Sequence, residues 1–164
     1  MSVKREFVPE GSESVWDYPR PPRLETVPGE VRVELGDQVI AQTRSAVRML
    51  ETSHPPTIYI PPSDIVDGVL VPNAHRTFCE WKGVAHYYDA VVGETKVANA
   101  GWYYPTPSRR YPQLKDFVSF YPAKMSACFV DGERVKAQEG DFYGGWITSK
   151  IVGPFKGAPG TSGW

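Results

Sequence analysis

His75 and Cys79 lie four positions apart, and His86 follows seven further on; with Cys128 and His54 they complete the two cysteines and three histidines of the chain. Zinc prefers thiolate and imidazole ligands in tight clusters, so His75, Cys79 and His86 form the obvious set to test. A structural site needs a second cysteine-rich half, and no C-x-x-C pair occurs. A thiol completed only by Asp89 or Glu80 is an unusual zinc site, and no metal is expected. The same residues suggest a second chemistry. On a strand, positions four apart face one side, so Cys79 and His75 are the weak candidates for a thiolate–imidazole nucleophile pair. No glycine-rich oxyanion loop adjoins Cys79, and Phe78 and Trp81 beside it speak for a buried, inert thiol. No catalytic residue is assigned on this basis.

Phosphate chemistry fares no better. In Gly153-Pro154-Phe155-Lys156-Gly157 the lysine precedes the glycine and Pro154 removes an amide donor, so a phosphate-cradling loop fails. No G-x-G-x-x-G follows a strand, and no cofactor is implied. Asp131-Gly132-Glu133 has the spacing of paired magnesium-holding acids. Its Asp-Gly step between apolar flanks is instead a hairpin turn.

The elements that must position these side chains are short strands. Sixteen prolines and fifteen glycines in 164 residues oppose long helices. Val31 to Leu35 alternates apolar and polar with period two, Gly36-Asp37 turns, and Gln38 to Ala41 returns. Ser45 to Glu51 fits a short helix or a strand. Thr57 to Ile60 is a strand, and Pro61 to Asp64 caps a helical turn through Leu70. Arg76 to Trp81, Val84 to Val92 and Lys96 to Tyr104 follow as strands. Tyr111 to Phe117 is expected as one short helix. Val118 to Tyr121 and Met125 to Val130 are strands, and Arg134 to Ala137 closes the last hairpin. Residues 1–28 form an extended proline-rich leader anchored by Trp16 and Tyr18. Residues 29–138 form the domain. Residues 139–164, with Phe142, Tyr143, Trp146, Phe155 and Trp164, form an ordered strap, because disordered tails usually lack aromatics.

The formal net charge of −1 argues against a nucleic-acid partner. No apolar run spans a bilayer, and no secretory h-region is present, so a membrane is not expected and a cytoplasmic location is.

The central block carries a resemblance. His75-Arg76-Thr77-Phe78-Cys79-Glu80-Trp81-Lys82-Gly83 with Ala85 and Tyr87 resembles an H-x-T-x-C-x-x-K-G-x-A-x-Y signature. Ala100-Gly101-Trp102-Tyr103-Tyr104-Pro105-Thr106-Pro107 and Phe120-Tyr121-Pro122 resemble its later elements, and Leu50-Glu51-Thr52 with Pro55-Pro56 and Tyr59-Ile60-Pro61 its early part. The span from Val31 to Gln138 is thereby similar to the bacterial family of domain of unknown function 427, sometimes labelled nucleotidyltransferase-like. The tail resembles an extension found in cyanobacterial-type members. The resemblance implies a mostly-β fold: a β-tent of two roughly orthogonal antiparallel sheets with short helical turns. Related tents often pin their sheets with zinc held by two C-x-x-C pairs, which this chain lacks.

In the tent of cereblon an aromatic cage holds the ligand, so the implied site is an aromatic pocket or tunnel between the sheets. Its expected lining is Tyr59, His75, Trp81, Tyr87, Trp102, Tyr104 and Tyr121, with Lys82 and His75 orienting a flat or cationic small molecule. Against this stands a plain core, since aromatics fill two-sheet interiors anyway, with Lys82 a solvated turn residue. The rival functions are a protein-interaction or oligomerisation module using leader and strap, and an enzyme dependent on Cys79 and His75.

Overall fold

The computed structural model describes residues 3–140 and 143–164. Phe142 of the expected strap lies outside the described residues. Strands β1 (Glu13–Ser14), β2 (Arg23–Thr26), β3 (Val31–Leu35), β4 (Gln38–Thr43) and β5 (Val47–Leu50) open the chain. Next come β6 (Thr57–Tyr59), β7 (Leu70–Cys79), β8 (Gly83–Val92), β9 (Thr95–Tyr103) and β10 (Val118–Phe120). The last are β11 (Ala127–Val130), β12 (Glu133–Arg134), β13 (Lys136–Ala137), β14 (Trp146–Ile147) and β15 (Ile151–Val152). The only helical pieces among the described residues are single 3-10 turns, so the fold is mostly β as expected.

Two four-stranded antiparallel sheets dominate, ordered β10-β9-β8-β7 and β12-β11-β3-β4. A third sheet, β2-β5-β6, was not anticipated. It includes Arg23 to Thr26, which composition places in the leader. It also resolves Ser45 to Glu51: β2 and β6 pair on either side of Val47 to Leu50 and hold it extended. The third sheet docks end-on against the first, where Ile60 N–H donates to Val118 O at 2.8 Å and Val118 N–H to Ile60 O at 2.9 Å.

Strand alternation sorts the side chains into two separate clusters. Val31, Val33 and Leu35 point from β3 into an aliphatic core with Ile40, Cys128, Ile58, Ile60, Ala90, Val118 and Phe120. Tyr88 and Tyr103 pack against the same core. On the opposite parity of β8 and β9, Ala85, Tyr87 and Trp102 belong to a second, aromatic cluster with Met49, Tyr59, Tyr104, Tyr111 and Tyr121. The aliphatic core therefore fills the space between the two large sheets. The aromatic cluster lies on the other face of the β7–β10 sheet, where Met49 and Tyr59 of the third sheet pack against it, so its rings sit between two sheets, though not between the two large ones. Parity separates the clusters: Tyr87 and Trp102 sit one residue out of phase with the core-facing Tyr88 and Tyr103.

Three local expectations change. The turn at Pro62–Asp64 stops at once, because Ile65 is buried and pairs with Ala41. The helix expected over Tyr111 to Phe117 is only Pro112–Leu114, since Asp116 adopts φ 65° and its N–H donates to Tyr104 O at 3.1 Å. Asp131 (φ 48°) and Gly132 (φ 83°) form the predicted hairpin turn. The returning strand ends at Arg134, however, and Lys136–Ala137 leaves to pair with Trp146–Ile147 of the strap.

Leader and strap fasten to each other. β1 pairs in parallel with β15. Trp16 Nε1–H donates to Pro154 O at 2.9 Å, and its ring meets Trp164 edge-on at 5.3 Å. Trp16 and Trp164 are thus engaged within the chain, whereas Phe7 of the leader is exposed.

Candidate functional site

The aromatic cluster does not close completely. A cavity of about 250 Å³ remains between the β7–β10 sheet and the third sheet. Thr77 and Cys79 of β7, Ala85 and Tyr87 of β8 and Trp102 of β9 form its floor, with Tyr104 and Tyr121 beside them. Met49, Glu51, His54 and Thr57 supply one wall, and Gln138, Tyr143, Gly144 and Lys156 another.

A hydroxyl network holds the floor rigid. Thr77 Oγ1 and Tyr87 OH lie 2.9 Å apart, and Tyr121 hydrogen-bonds to Tyr87 in turn. Trp102 Nε1–H donates to Tyr59 OH at 3.3 Å, and Tyr59 also meets Tyr104. Burial first, then these neighbours, pushes the Tyr104 and Tyr121 phenols far above the ordinary tyrosine range. Both stay neutral and can donate or accept hydrogen bonds.

Lys82 is the main electrostatic feature. It stands in the β7–β8 turn, whose Trp81 and Lys82 carbonyls accept from Ser108 Oγ at 2.7 Å and Ser108 N–H at 2.9 Å. Gly83 adopts φ 111° there, and a Cβ on it would lie 3.2 Å from Thr106 O. The turn is pressed against the 106–108 segment, and the lysine lines the cavity. The solvated-charge alternative for Lys82 is thereby corrected: the residue is half-buried and its ammonium desolvated. Burial acts to lower its pKa, but Tyr59, Cys79 and Glu51 outweigh that and hold it above the usual lysine range. Lys82 is therefore charged at neutral pH.

The expected site residues separate into three groups. Lys82, Tyr87, Trp102, Tyr104 and Tyr121 line the cavity together. Tyr59 is fully buried behind Trp102, their rings 6.1 Å apart, and Trp81 packs half-buried against the cluster; both support the wall rather than form its surface. His75 is exposed, its ring 4.5 Å from that of Tyr87 on the outer rim, so it does not orient anything inside. Cys79 does line the cavity, but four strand residues separate it from His75 by about 13 Å along β7. That distance excludes a hydrogen-bonded thiol–imidazole pair between them. His86 pairs across from Tyr103, on the face opposite Cys79, so His75, Cys79 and His86 do not converge. Among the described residues no group of three acidic, histidine or cysteine side chains is placed to hold a metal. The acids of the 131–133 turn also diverge. Asp131 packs on Gly29, whereas Glu133 accepts from Ser149 N–H at 2.6 Å and Ser149 Oγ–H at 2.8 Å.

The model of the family described as domain of unknown function 427 (DUF427) matches residues 23–131. The chain belongs to the DUF427 family. No curated protein matches it. The matched span of this DUF427 chain carries the cavity floor and the wall from Met49 to Thr57. Gln138, Tyr143, Gly144 and Lys156 lie beyond it, so the opposite wall is supplied by the strap. Gln138 fastens that wall: its Nε2–H donates to Lys156 O at 2.6 Å and its Oε1 accepts from Gly145 N–H at 3.1 Å.

His54 and Glu51 were missed by reasoning from the central block. The available signal was their place between Leu50 and Pro55-Pro56, a segment already singled out by the family resemblance. His54 Nδ1 lies 3.0 Å from Thr52 O. A carbonyl only accepts, so the proton sits on Nδ1 and Nε2 is left as an acceptor. Burial lowers the His54 pKa, with Lys156 and Lys82 adding to the effect, while Glu51 and Thr52 oppose it.

A pH prediction follows from the sign of that shift. The folded pKa lies below the ordinary 6.5, so the unfolded chain takes up the proton first. The stability contributed by neutral His54 is present above the ordinary value and lost as pH falls through it toward the folded value. The melting temperature is expected to drop from about pH 7 to about pH 5. His54→Gln should flatten that part of the profile. Superimposable wild-type and variant profiles would rule the linkage out.

Proposed function

We propose that this DUF427 domain is a small-molecule-binding module and that the aromatic cavity between its β7–β10 sheet and its third sheet is the binding site. The observation that carries the reading is a half-open, largely apolar space lined by a few polar groups: Lys82, His54, Glu51 and the tyrosines Tyr87 and Tyr104. Binding pockets are built this way, whereas a filled core leaves no charged group aimed inward. The size bounds the ligand. A dry cavity of about 150 Å³ holds one benzene, so 250 Å³ suits one ring system with a short substituent.

A larger cleft of about 410 Å³ lies near Arg48, Trp146 and Glu133 and supports no comparable reading. There Arg48 pairs with Glu25 at 2.5 Å and Glu13 at 3.1 Å, and Glu133 accepts from Ser149.

The two cysteines provide the test. Cys79 lines the cavity and is half-buried, whereas Cys128 is buried in the aliphatic core, where burial pushes its thiol up to about 12. A small alkylating reagent is expected to label Cys79 in the folded protein and leave Cys128 untouched. Ring compounds that occupy the cavity should slow labelling of Cys79 and quench Trp102 fluorescence in parallel. A broad panel of such compounds in which none protects Cys79 would remove this reading.

A further inference from the structure

Two ammonium groups reach the cavity from distant parts of the sequence. Lys82 comes from the β7–β8 turn, and Lys156 from the strap outside the family-matched span. Both act electrostatically on His54, which places the three groups in one neighbourhood. His54 is held toward its neutral form, and Glu51 is the only carboxylate lining the space among the described residues, so the described lining carries a net positive charge. Lys82 makes no ion pair or side-chain hydrogen bond among the described residues. Lys156 Nζ donates to Trp164 O at 3.3 Å and lies 5.7 Å over the Tyr143 ring. Two ammonium groups against one carboxylate in the described lining favour an occupant that brings a negative charge.

We propose that the ligand is a planar ring bearing a single anionic head group, with the ring on Trp102 and the head group between Lys82 and Lys156. The proposal rests on the cavity being a ligand site and adds the charge class of what enters it. It selects against the cationic occupant that the aromatic lining alone would favour. Ammonium groups act as point charges, so a carboxylate and a phosphate monoester satisfy the same arrangement. The strap thereby contributes half of the anion-recognising pair, and the DUF427-matched span supplies the other half together with the ring platform.

Four probes of one shape and different charge separate the possibilities in calorimetric titrations of the full chain: naphthoate, naphthyl phosphate, naphthamide and naphthylmethylammonium. At least one of the two anions is expected to bind about tenfold or more tighter than the neutral amide, with the ammonium weakest. Which anion binds tighter identifies the head group. Lys82→Met and Lys156→Met should each reduce the preference for the anions over naphthamide. Thermal melting verifies that both variants fold. Equal binding of both anions and the amide, or tightest binding of the ammonium, overturns the charge assignment while leaving the pocket in place. Failure of all four probes to bind or to protect Cys79 overturns the pocket and the charge assignment together.

Discussion

Trp146→Ala is expected to cost about 3–5 kcal/mol of stability, more than any other single truncation in the strap. Trp146 is 1 % exposed and is the largest of the fully buried side chains. It lies in the aliphatic core between the two large sheets, although its own strand pairs with Lys136–Ala137 at the margin. Its removal leaves a void in the aliphatic core and deprives Phe120 O of the indole N–H that now donates at 3.1 Å. For a chain of this length the loss corresponds to a fall in melting temperature of roughly 6–20 °C. Trp146→Phe should recover most of the packing but not the hydrogen bond, and so fall between the two. Unchanged melting of the alanine variant would mean that Trp146 is not a core residue. The result also bears on the family. The residue that fills the centre of the core lies outside residues 23–131, so in this chain the matched span does not complete its own interior.

Gly144→Ala is expected to act on the cavity, though it adds a single carbon. A Cβ at this position would lie 2.4 Å from Trp102 Cη2, 2.6 Å from Cζ3 and 3.3 Å from Tyr121 Cδ1. Contacts that short do not occur, so either the indole or the strap must move. Overpacking of this kind typically costs about 1–3 kcal/mol. Trp102 is tethered by its bond to Tyr59 and by β9, and an indole displaced by the new methyl group turns into the cavity. Affinity for ring ligands is expected to fall by about tenfold, with a changed near-ultraviolet circular dichroism signal from the tryptophan. Naphthoate titration and melting of the same sample read both effects. If the variant binds and melts like the wild type, Gly144 does not rest on Trp102 and the strap does not shape the cavity.

The strands were legible wherever a period of two governs a face. Val31 to Leu35 and its return, the long Val84 to Val92 strand and the Asp131-Gly132 turn all follow from local rules, which need no knowledge of distant partners. The third sheet was not legible, because Ser45 to Glu51 has no strong period and becomes a strand only by pairing with β2 and β6. Of the site, the rings that share a face on neighbouring strands were recognisable from their parity. Which face that is was not, since parity alone does not say which side the second sheet covers. Lys156 and Gln138 were out of reach for a different reason. They arrive by the path of a glycine- and proline-rich segment whose course is set by Gln138, by the Trp146 anchor and by Gly157, where a Cβ would stand 2.0 Å from Glu139 O. His75 misled because a signature position on a strand does not reveal whether the strand there still faces the body or has already run past it.

The parallel pairing of β1 with β15 has a mechanical consequence. Tension applied through the two ends of the chain would pull on the leading end of β1 and the trailing end of β15, along the strands and in opposite directions. The rungs of that pair, Glu13 with Ile151 and Ser14 with Val152, are then loaded in shear and must yield together rather than peel singly. Trp16 against Trp164, and its indole N–H on Pro154 O, lie beside the same clasp. Lys156 lies beyond the clasp on the pulled side, so under force the cavity would lose the wall that carries it before the clasp slips and before the sheets beneath it part.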